Sequence, residues 1–148
     1  MIHYRNDVVR SGVNGRALCA VARRLLAGLG EENASLSLSI VSDETIRALN
    51  RKYRGKDRST DVLSFPMEEE GLLGDVVISV DTAKRQASDY DAPLERELER
   101  LLIHGLLHLL GHDHHRAPER KKMEAEERRL ADLIGMPWPY ARSRAPAR

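Results

Sequence analysis

Leu36, Leu38 and Ile40 alternate with Ser35, Ser37 and Ser39, the two-residue period of a strand that buries one face and turns its serines away from the core. Upstream the period changes. From Asn14, a residue able to cap a helix, Leu18, Val21, Leu25 and Leu29 recur at helical spacing until Gly28 and Gly30 stop the pattern. Before them, residues 2 to 9 suit an edge strand with a turn at Asn6-Asp7. After the serine-rich strand, Ser42 caps a helix whose first turn carries Asp43 and Glu44, both favourable beside the positive end of the helix dipole. Its buried stripe is Ile46, Leu49 and Tyr53, and Gly55 ends it. Asp61 to Pro66 is a β-rich run closed by proline, and Leu72 to Val80 is a second, interrupted by Gly74 and Asp75. These two runs are placed to pair across an acidic loop, Glu68 to Gly71. Asp81 and Thr82 start a short helix.

The longest helical pattern is Leu94 to Leu110. Leu98, Leu102, Leu106 and Leu109 share a face roughly opposite His104 and His108, with Glu97 and Leu101 on the histidine side. Apolar residues surround much of its later half, which places this helix centrally, against the sheet, with the histidines lining a cleft. A last helix runs from Pro118 through Leu133.

A chain of 148 residues, 41% hydrophobic and 32% charged, is a globular protein with one sizeable core. We expect a single domain over residues 1–140 and a basic, disordered tail over 141–148. The net charge of +1 hides local patches and so says little about partners. The lone cysteine, Cys19, has no internal disulfide partner and reads as a buried thiol, in keeping with a reducing compartment. No basic start precedes an apolar run and no segment approaches a membrane span, so the expected location is the cytoplasm.

The chemistry concentrates in eleven residues, His104 to His114. Residues four apart on a helix lie one above the other, so His104 and His108 can present two imidazoles to one ion. Gly111 can adopt the left-handed conformation that ends a helix and so return His114 toward them. Three neutral imidazoles suit zinc, and three protein ligands leave a tetrahedral ion one open position, the catalytic type of site. His112 and His115 lack a helical partner at ligand spacing and read as solvent-facing. Asp113 has two readings, a hydrogen-bond partner that orients a ligating histidine or a cap for the next helix. The spacing is also that of the metzincin peptidases, except that Gly105 stands where those enzymes carry their general-base glutamate.

A second feature is basic. Arg47, Arg51 and Arg54 share one side of a helix, with Lys52, Lys56 and Arg58 close by and Asp57 opposing them. Such a ridge either follows a phosphate backbone through salt-sensitive contacts or is a solvated helix face.

Four segments together resemble the YbeY family of bacterial rRNA maturation endoribonucleases: Leu49-Asn50-Arg51-Lys52-Tyr53-Arg54, Ser59-Thr60-Asp61-Val62-Leu63-Ser64-Phe65-Pro66, Gly74-Asp75, and the histidine motif from His104 to His114. His112 departs from the tyrosine common at that place in the family. The resemblance implies an α+β fold, a compact mixed sheet with helices around a metal-binding helix, related to the zinc peptidases. It implies one Zn²⁺ held by His104, His108 and His114, with the family's functional arginine falling on Arg58. The implied activity is zinc-dependent, single-strand-specific RNA cleavage in late 70S ribosome quality control and in maturation of the 16S rRNA 3′ end. The implied partners are rRNA, the small subunit and ribosome-associated proteins, with no membrane and no DNA.

Two other classes compete with an endoribonuclease. A zinc peptidase shares the metal spacing and lacks the base at Gly105. A non-catalytic ribosome-assembly factor would use zinc only to tie down the helix end.

Overall fold

The computed structural model describes residues 1–67 and 69–137, so Glu68 and the expected tail, with the domain boundary at 140, lie outside the described residues. The elements run β1 (Ile2–Asn6), α1 (Gly15–Gly28), β2 (Ser35–Val41), α2 (Asp43–Arg54), β3 (Val62–Pro66), β4 (Leu72–Ser79), α3 (Val80–Asp89), α4 (Leu94–Leu109) and α5 (Ala117–Leu133). No described helix is long and apolar enough to cross a membrane.

The fold is α+β. Its mixed sheet has the order β1-β2-β4-β3, with β1, β2 and β4 parallel and β3 antiparallel at the edge beside β4. Leu36, Leu38 and Ile40 of β2 and Val76 and Ile78 of β4 are fully buried on one face, against α1 and α4. On the other face α2 lays Ile46 over Val41, Leu63 and Val77. The sequence interrupts the second strand run at Gly74 and Asp75. In the fold β4 is continuous, and the irregularity is a bulge that carries the pairing from Ser35–Leu72 to Leu36–Gly74.

Helix starts follow local capping chemistry. The Asn14 side chain accepts from the Ala17 amide at 3.1 Å and the Ser42 hydroxyl from the Thr45 amide at 3.2 Å, each satisfying a first-turn donor that has no helical partner. α3 begins earlier than Asp81, because Ser79 at the end of β4 is its cap. Asp81 instead accepts from the Asp43 amide at 2.9 Å, while the Asp43 carboxylate accepts from the Ser79 and Thr82 hydroxyls, both at 2.6 Å, and from Arg85 at 2.8 Å. Each aspartate thus serves the other helix's start, and α2 and α3 are locked together at their positive ends.

The buried stripe of α2 differs from the expected one. Ile46 is buried and Leu49 packs beside it, but Tyr53 is 58% exposed and Asn50 is buried in its stead, while Arg54 one turn further is exposed and reaches the Ser64 carbonyl. Asn50 donates to the carbonyl of Arg58 at 2.9 Å, a polar anchor for the loop that follows. Cys19 is partly rather than fully buried, and desolvation still raises its pKa.

α4 is the central helix. It packs against α1, α3, α5, β3 and β4, and Leu98, Leu101, Leu102, Ile103, Leu106, Leu107 and Leu109 are all buried. Glu97 and Leu101, expected on the histidine side, are buried too. From Arg100 onward the open line on this helix is narrow: Arg100, His104 and His108.

Burial works against ionisation of Asp43, but hydrogen bonds from Ser79, Thr82 and Arg85 outweigh it and hold the carboxyl below its ordinary value. A carboxyl lowered in the folded state adds stability that is present above its unfolded pKa and is lost as pH falls through the folded one. Asp43→Ala should therefore cost about 1–2 kcal/mol, the scale of a lost cap. The check is chemical denaturation of both proteins from neutral pH into the acid range. The difference between them should shrink toward low pH.

Candidate metal centre

One turn of α4 separates His104 and His108, whose rings meet edge to face with centroids 4.6 Å apart and Nε2 atoms 3.1 Å apart. The helix then stops abruptly. Gly111 has φ +90°, its amide donates to the His108 carbonyl at 3.0 Å, and the His112 amide donates to the Leu107 carbonyl at 3.0 Å. These two bonds close the helix end through a left-handed residue, a conformation costly for any side chain but glycine's hydrogen. The reversed chain brings the His114 ring to 5.6 Å from His104 and 5.3 Å from His108, centroid to centroid.

One nitrogen from each of the three rings lies within 4.8 Å of the others. A tetrahedral zinc with bonds of 2.0–2.1 Å would need donors about 3.4 Å apart, the scale on which these three rings are gathered. His108 is prepared for it. Burial, and then the neighbouring His104 and His114, push its pKa down from 6.5 to about 4, against weaker upward pulls from Asp113 and the His112 backbone. The ring is therefore neutral, the form that ligates, across the ordinary pH range.

The fold adds a residue that the sequence reading missed. Glu127 of α5 is 9% exposed, and its Oε2 lies 3.2 Å from His104 Nδ1. With Nδ1–H donating to the carboxylate, His104 Nε2 keeps its lone pair for a metal, and the ring is fixed in orientation. A signal existed in the sequence. Met123, Leu130 and Ala131 form the buried face of α5, and Glu127 is the charge set among them. A carboxylate at a core position needs a partner.

Asp113, the sequence candidate for that orienting role, accepts from the His115 amide at 3.1 Å and lies 3.5 Å from His115 Nε2, within its own loop. His115 lines the cleft at its rim. The cleft has a volume of about 670 Å³, and Arg54, Lys56, Asp61 and Ser64 line it with the histidines. Arg54 donates to the Ser64 carbonyl at 2.6 Å, so its guanidinium sits on the outer edge of β3. Arg58, expected to contact phosphate, is not among the residues that line the cleft. Its carbonyl is held inward by Asn50 and its side chain is exposed. The expected ridge is divided: Arg47 pairs with Asp57 at 3.0 Å, Arg51 is exposed, and Arg54 enters the cleft.

Gly105 lies between the two helical histidines. A Cβ there would come within 2.9 Å of Val76 Cγ1, 3.2 Å of Ser64 Oγ and 3.3 Å of Val62 Cγ2. Ser64 Oγ donates to the Gly105 carbonyl at 2.8 Å, so strand and helix backbone are in direct contact where a peptidase would carry its glutamate.

Fold and cleft define an α+β protein with an open three-histidine metal centre. A family model described as Endoribonuclease YbeY matches residues 11–135, and the chain belongs to this family. Similar curated proteins carry the same name. That of Anaeromyxobacter sp. (strain Fw109-5) is 48% identical over 137 residues, 90% of this chain and 71% of the relative. That of Myxococcus xanthus (strain DK1622) is 52% identical over 128 residues, 82% of this chain but only 44% of the relative, so this chain spans less than half of that protein. The solution structure of TM1509 from Thermotoga maritima superposes with a TM-score of 0.66 at 28% identity, covering 91% of this chain and 90% of that one.

Glu127→Ala should weaken metal binding by about 10–100-fold, the usual effect of removing such a partner. Competition with a chromophoric chelator measures this directly, and Glu127→Gln, which keeps a hydrogen-bond acceptor, should lose less. The depressed pKa of His108 makes a second prediction. In metal-free protein the unfolded chain takes up a proton at His108 from about pH 6.5 and the folded chain only from about pH 4. The stability tied to this ring is complete above the first value and is lost as pH falls toward the second. Thermal midpoints in chelator should fall less steeply across that window in His108→Gln than in the wild type.

Proposed function

We propose that this chain is a zinc-dependent endoribonuclease specific for single strands, acting in the cytoplasm in late 70S ribosome quality control and in maturation of the 16S rRNA 3′ end. Its partners in this reading are rRNA, the small subunit and ribosome-associated proteins. One observation carries it: three imidazole donors and the Arg54 guanidinium open onto the same cleft. Family membership supplies the class of substrate.

His104, His108 and His114 hold the zinc, and Glu127 orients His104. When bound, the ion supplies Lewis acidity toward a phosphodiester. Arg54 takes the phosphate role in place of Arg58. Its guanidinium is held at the strand edge by the Ser64 carbonyl, leaving further N–H donors for phosphoryl oxygens. Such contacts strengthen as charge accumulates in the transition state. Lys56 lines the cleft and, with the exposed Arg51, attracts the RNA backbone, while Arg47 is already partnered by Asp57.

The competing classes fit less well. A peptidase needs a base where Gly105 has no room for a side chain, and an extended peptide would pair with the outer edge of β3. That edge is occupied: the Val62 amide donates to Asp61 at 2.8 Å, Arg54 holds the Ser64 carbonyl, and Pro66 has no N–H. A zinc serving only to tie down the helix end would be closed by a fourth protein ligand, whereas this cluster faces open space.

The purified protein should contain about one zinc per chain, and the His104→Ala, His108→Ala double substitution should lose it. Unchanged zinc in that variant sinks the site. Arg54→Ala should keep zinc and thermal midpoint while single-turnover cleavage of 3′-extended small-subunit rRNA falls by roughly 100-fold. Arg54→Lys should recover little, and Arg58→Ala should cleave far better than Arg54→Ala. The reverse ranking would return the phosphate role to Arg58. Arg51→Gln with Lys56→Gln should flatten the salt dependence of RNA binding more than Arg47→Gln does.

A further inference from the structure

The sheet's second face carries a groove of about 850 Å³ that the metal centre does not use. It exists because α2 covers only part of that face. Ile46 is buried over β3 and β4, but toward β1 the cover stops and the alternate residues of β2 are left open. Strand register builds the floor in rungs: His3 beside Ser37 beside Asp75 beside Phe65, then Arg5 beside Ser39 beside Val77. The wall is the last turn of α2. There Tyr53, 58% exposed, meets Phe65 edge to face at 5.5 Å, and the Lys52 ammonium lies 5.1 Å from the Tyr53 ring centre. Among the described residues, the side chains of Ser37, Ser39 and Asp75 have no hydrogen-bond partner.

We propose that this groove is a second subsite for single-stranded RNA, in which unstacked bases next to the phosphate in the histidine cleft rest against Tyr53 with their edges on the serine and Asp75 floor. This rests on the endoribonuclease reading and extends it. An exposed ring beside a cation is a stacking platform, and every base offers a face to it. The floor suits base edges, which carry both N–H donors and carbonyl acceptors: hydroxyls do both, and a carboxylate accepts. The same carboxylate repels phosphate, so bases point inward and the backbone runs along the basic rim of Lys52 and Arg54, Arg5 being already paired with Asp7 at 2.7 Å.

The two sites share a wall. Along β3, Ser64 faces the metal cleft, and Leu63 and Phe65 face α2 and the groove. Arg54 crosses from one side to the other, with its guanidinium 5.5 Å from the Phe65 ring centre and bonded to the Ser64 carbonyl. One RNA strand passing over this edge keeps its phosphates on Arg54 while its bases turn into the groove. A duplex, whose base faces are stacked and whose edges are paired, cannot do so. The groove therefore gives a physical source for single-strand preference.

The test uses the full chain in chelator, so that binding is read without cleavage. A fluorescein-labelled single-stranded RNA decamer of mixed sequence is titrated by anisotropy, beside ¹⁵N-amide NMR with the unlabelled decamer. Tyr53→Ala should weaken binding about tenfold, within the range for one stacked base. Tyr53→Phe should bind like the wild type, and the duplex form should not respond to either change. Amide shifts should appear at Ser37, Ser39 and Val77 as well as near the histidines. Wild-type affinity in Tyr53→Ala with an unchanged thermal midpoint, or shifts confined to the histidine cleft, overturns the subsite and leaves the cleft reading intact. Groove shifts and the Tyr53 effect without any metal-dependent cleavage would support the subsite and sink the nuclease assignment. If Tyr53→Ala keeps RNA affinity but no longer sediments with ribosomal particles, the groove is a protein-docking face and the RNA proposal is wrong.

Discussion

The backbone of α4 touches the β3–β4 hairpin at Gly105, and the position of the metal centre follows from that contact. Ser64 on the strand donates to the Gly105 carbonyl, and Val62 and Val76 occupy the space any side chain at 105 would need. The helix is thereby fixed in rotation about its axis. With Leu101, Leu102, Leu106, Leu107 and Leu109 buried on the remaining sides, the one line left open from Arg100 to Leu109 is Arg100, His104 and His108. Widening the contact by a methyl group would turn or lift that line, and overpacking of this kind commonly costs about 1–3 kcal/mol. Packing and chemistry thus act through the same residue.

Around this contact the polar groups are arranged to hold rings and loops rather than to carry the core. Glu127 reaches His104 from α5, Asn50 holds the Arg58 carbonyl, and Asp43 and Asp81 exchange contacts between two helix starts. Glu127 and the two aspartates join elements distant in sequence, and Asn50 ties the end of α2 to the loop that follows it. Asp61 shows the same economy: one oxygen takes the Val62 amide of the strand edge, and the other takes Gln86 of α3 at 3.2 Å. These contacts fix the rim without placing a free carboxylate against the three histidines.

What the sequence made legible was local. Asn14 and Ser42 announce their helices because a cap needs only the amides three residues on, and Gly111 announces a helix end because the left-handed turn is built from neighbouring residues. The histidine cluster was legible for the same reason, as all three ligands fall within eleven residues. The strand order was not, since the pairing of β2 with β4 across α2 and β3 depends on contacts no local pattern encodes. Glu127 escaped because its partner is 23 residues away, although its place in the apolar stripe of α5 was a usable sign. The apolar stripe of α2 holds at Ile46 and Leu49 and fails at Tyr53, which fits an apolar template better than the buried Asn50 does. In the fold Asn50 is buried because it bonds the Arg58 carbonyl, and the exposed Arg54 reaches the Ser64 carbonyl. Tyr53 was left outside as a result.

That exchange on α2 links the two halves of the molecule. Arg54, itself exposed, carries a guanidinium across the edge of β3, and the outward Tyr53 exposes a ring over the serine face of the sheet. Had Tyr53 packed down in its place, the edge of β3 would keep an unpaired carbonyl at Ser64, open to strand addition, and the cleft would lose the Arg54 cation. With Arg54 in place the edge is closed to an extended peptide and offers positive charge to a phosphate instead. In the proposed function the same short strand therefore excludes one class of polymer and admits another. It does so with backbone groups and one arginine, without any change to the histidines that a peptidase and a nuclease would hold in common.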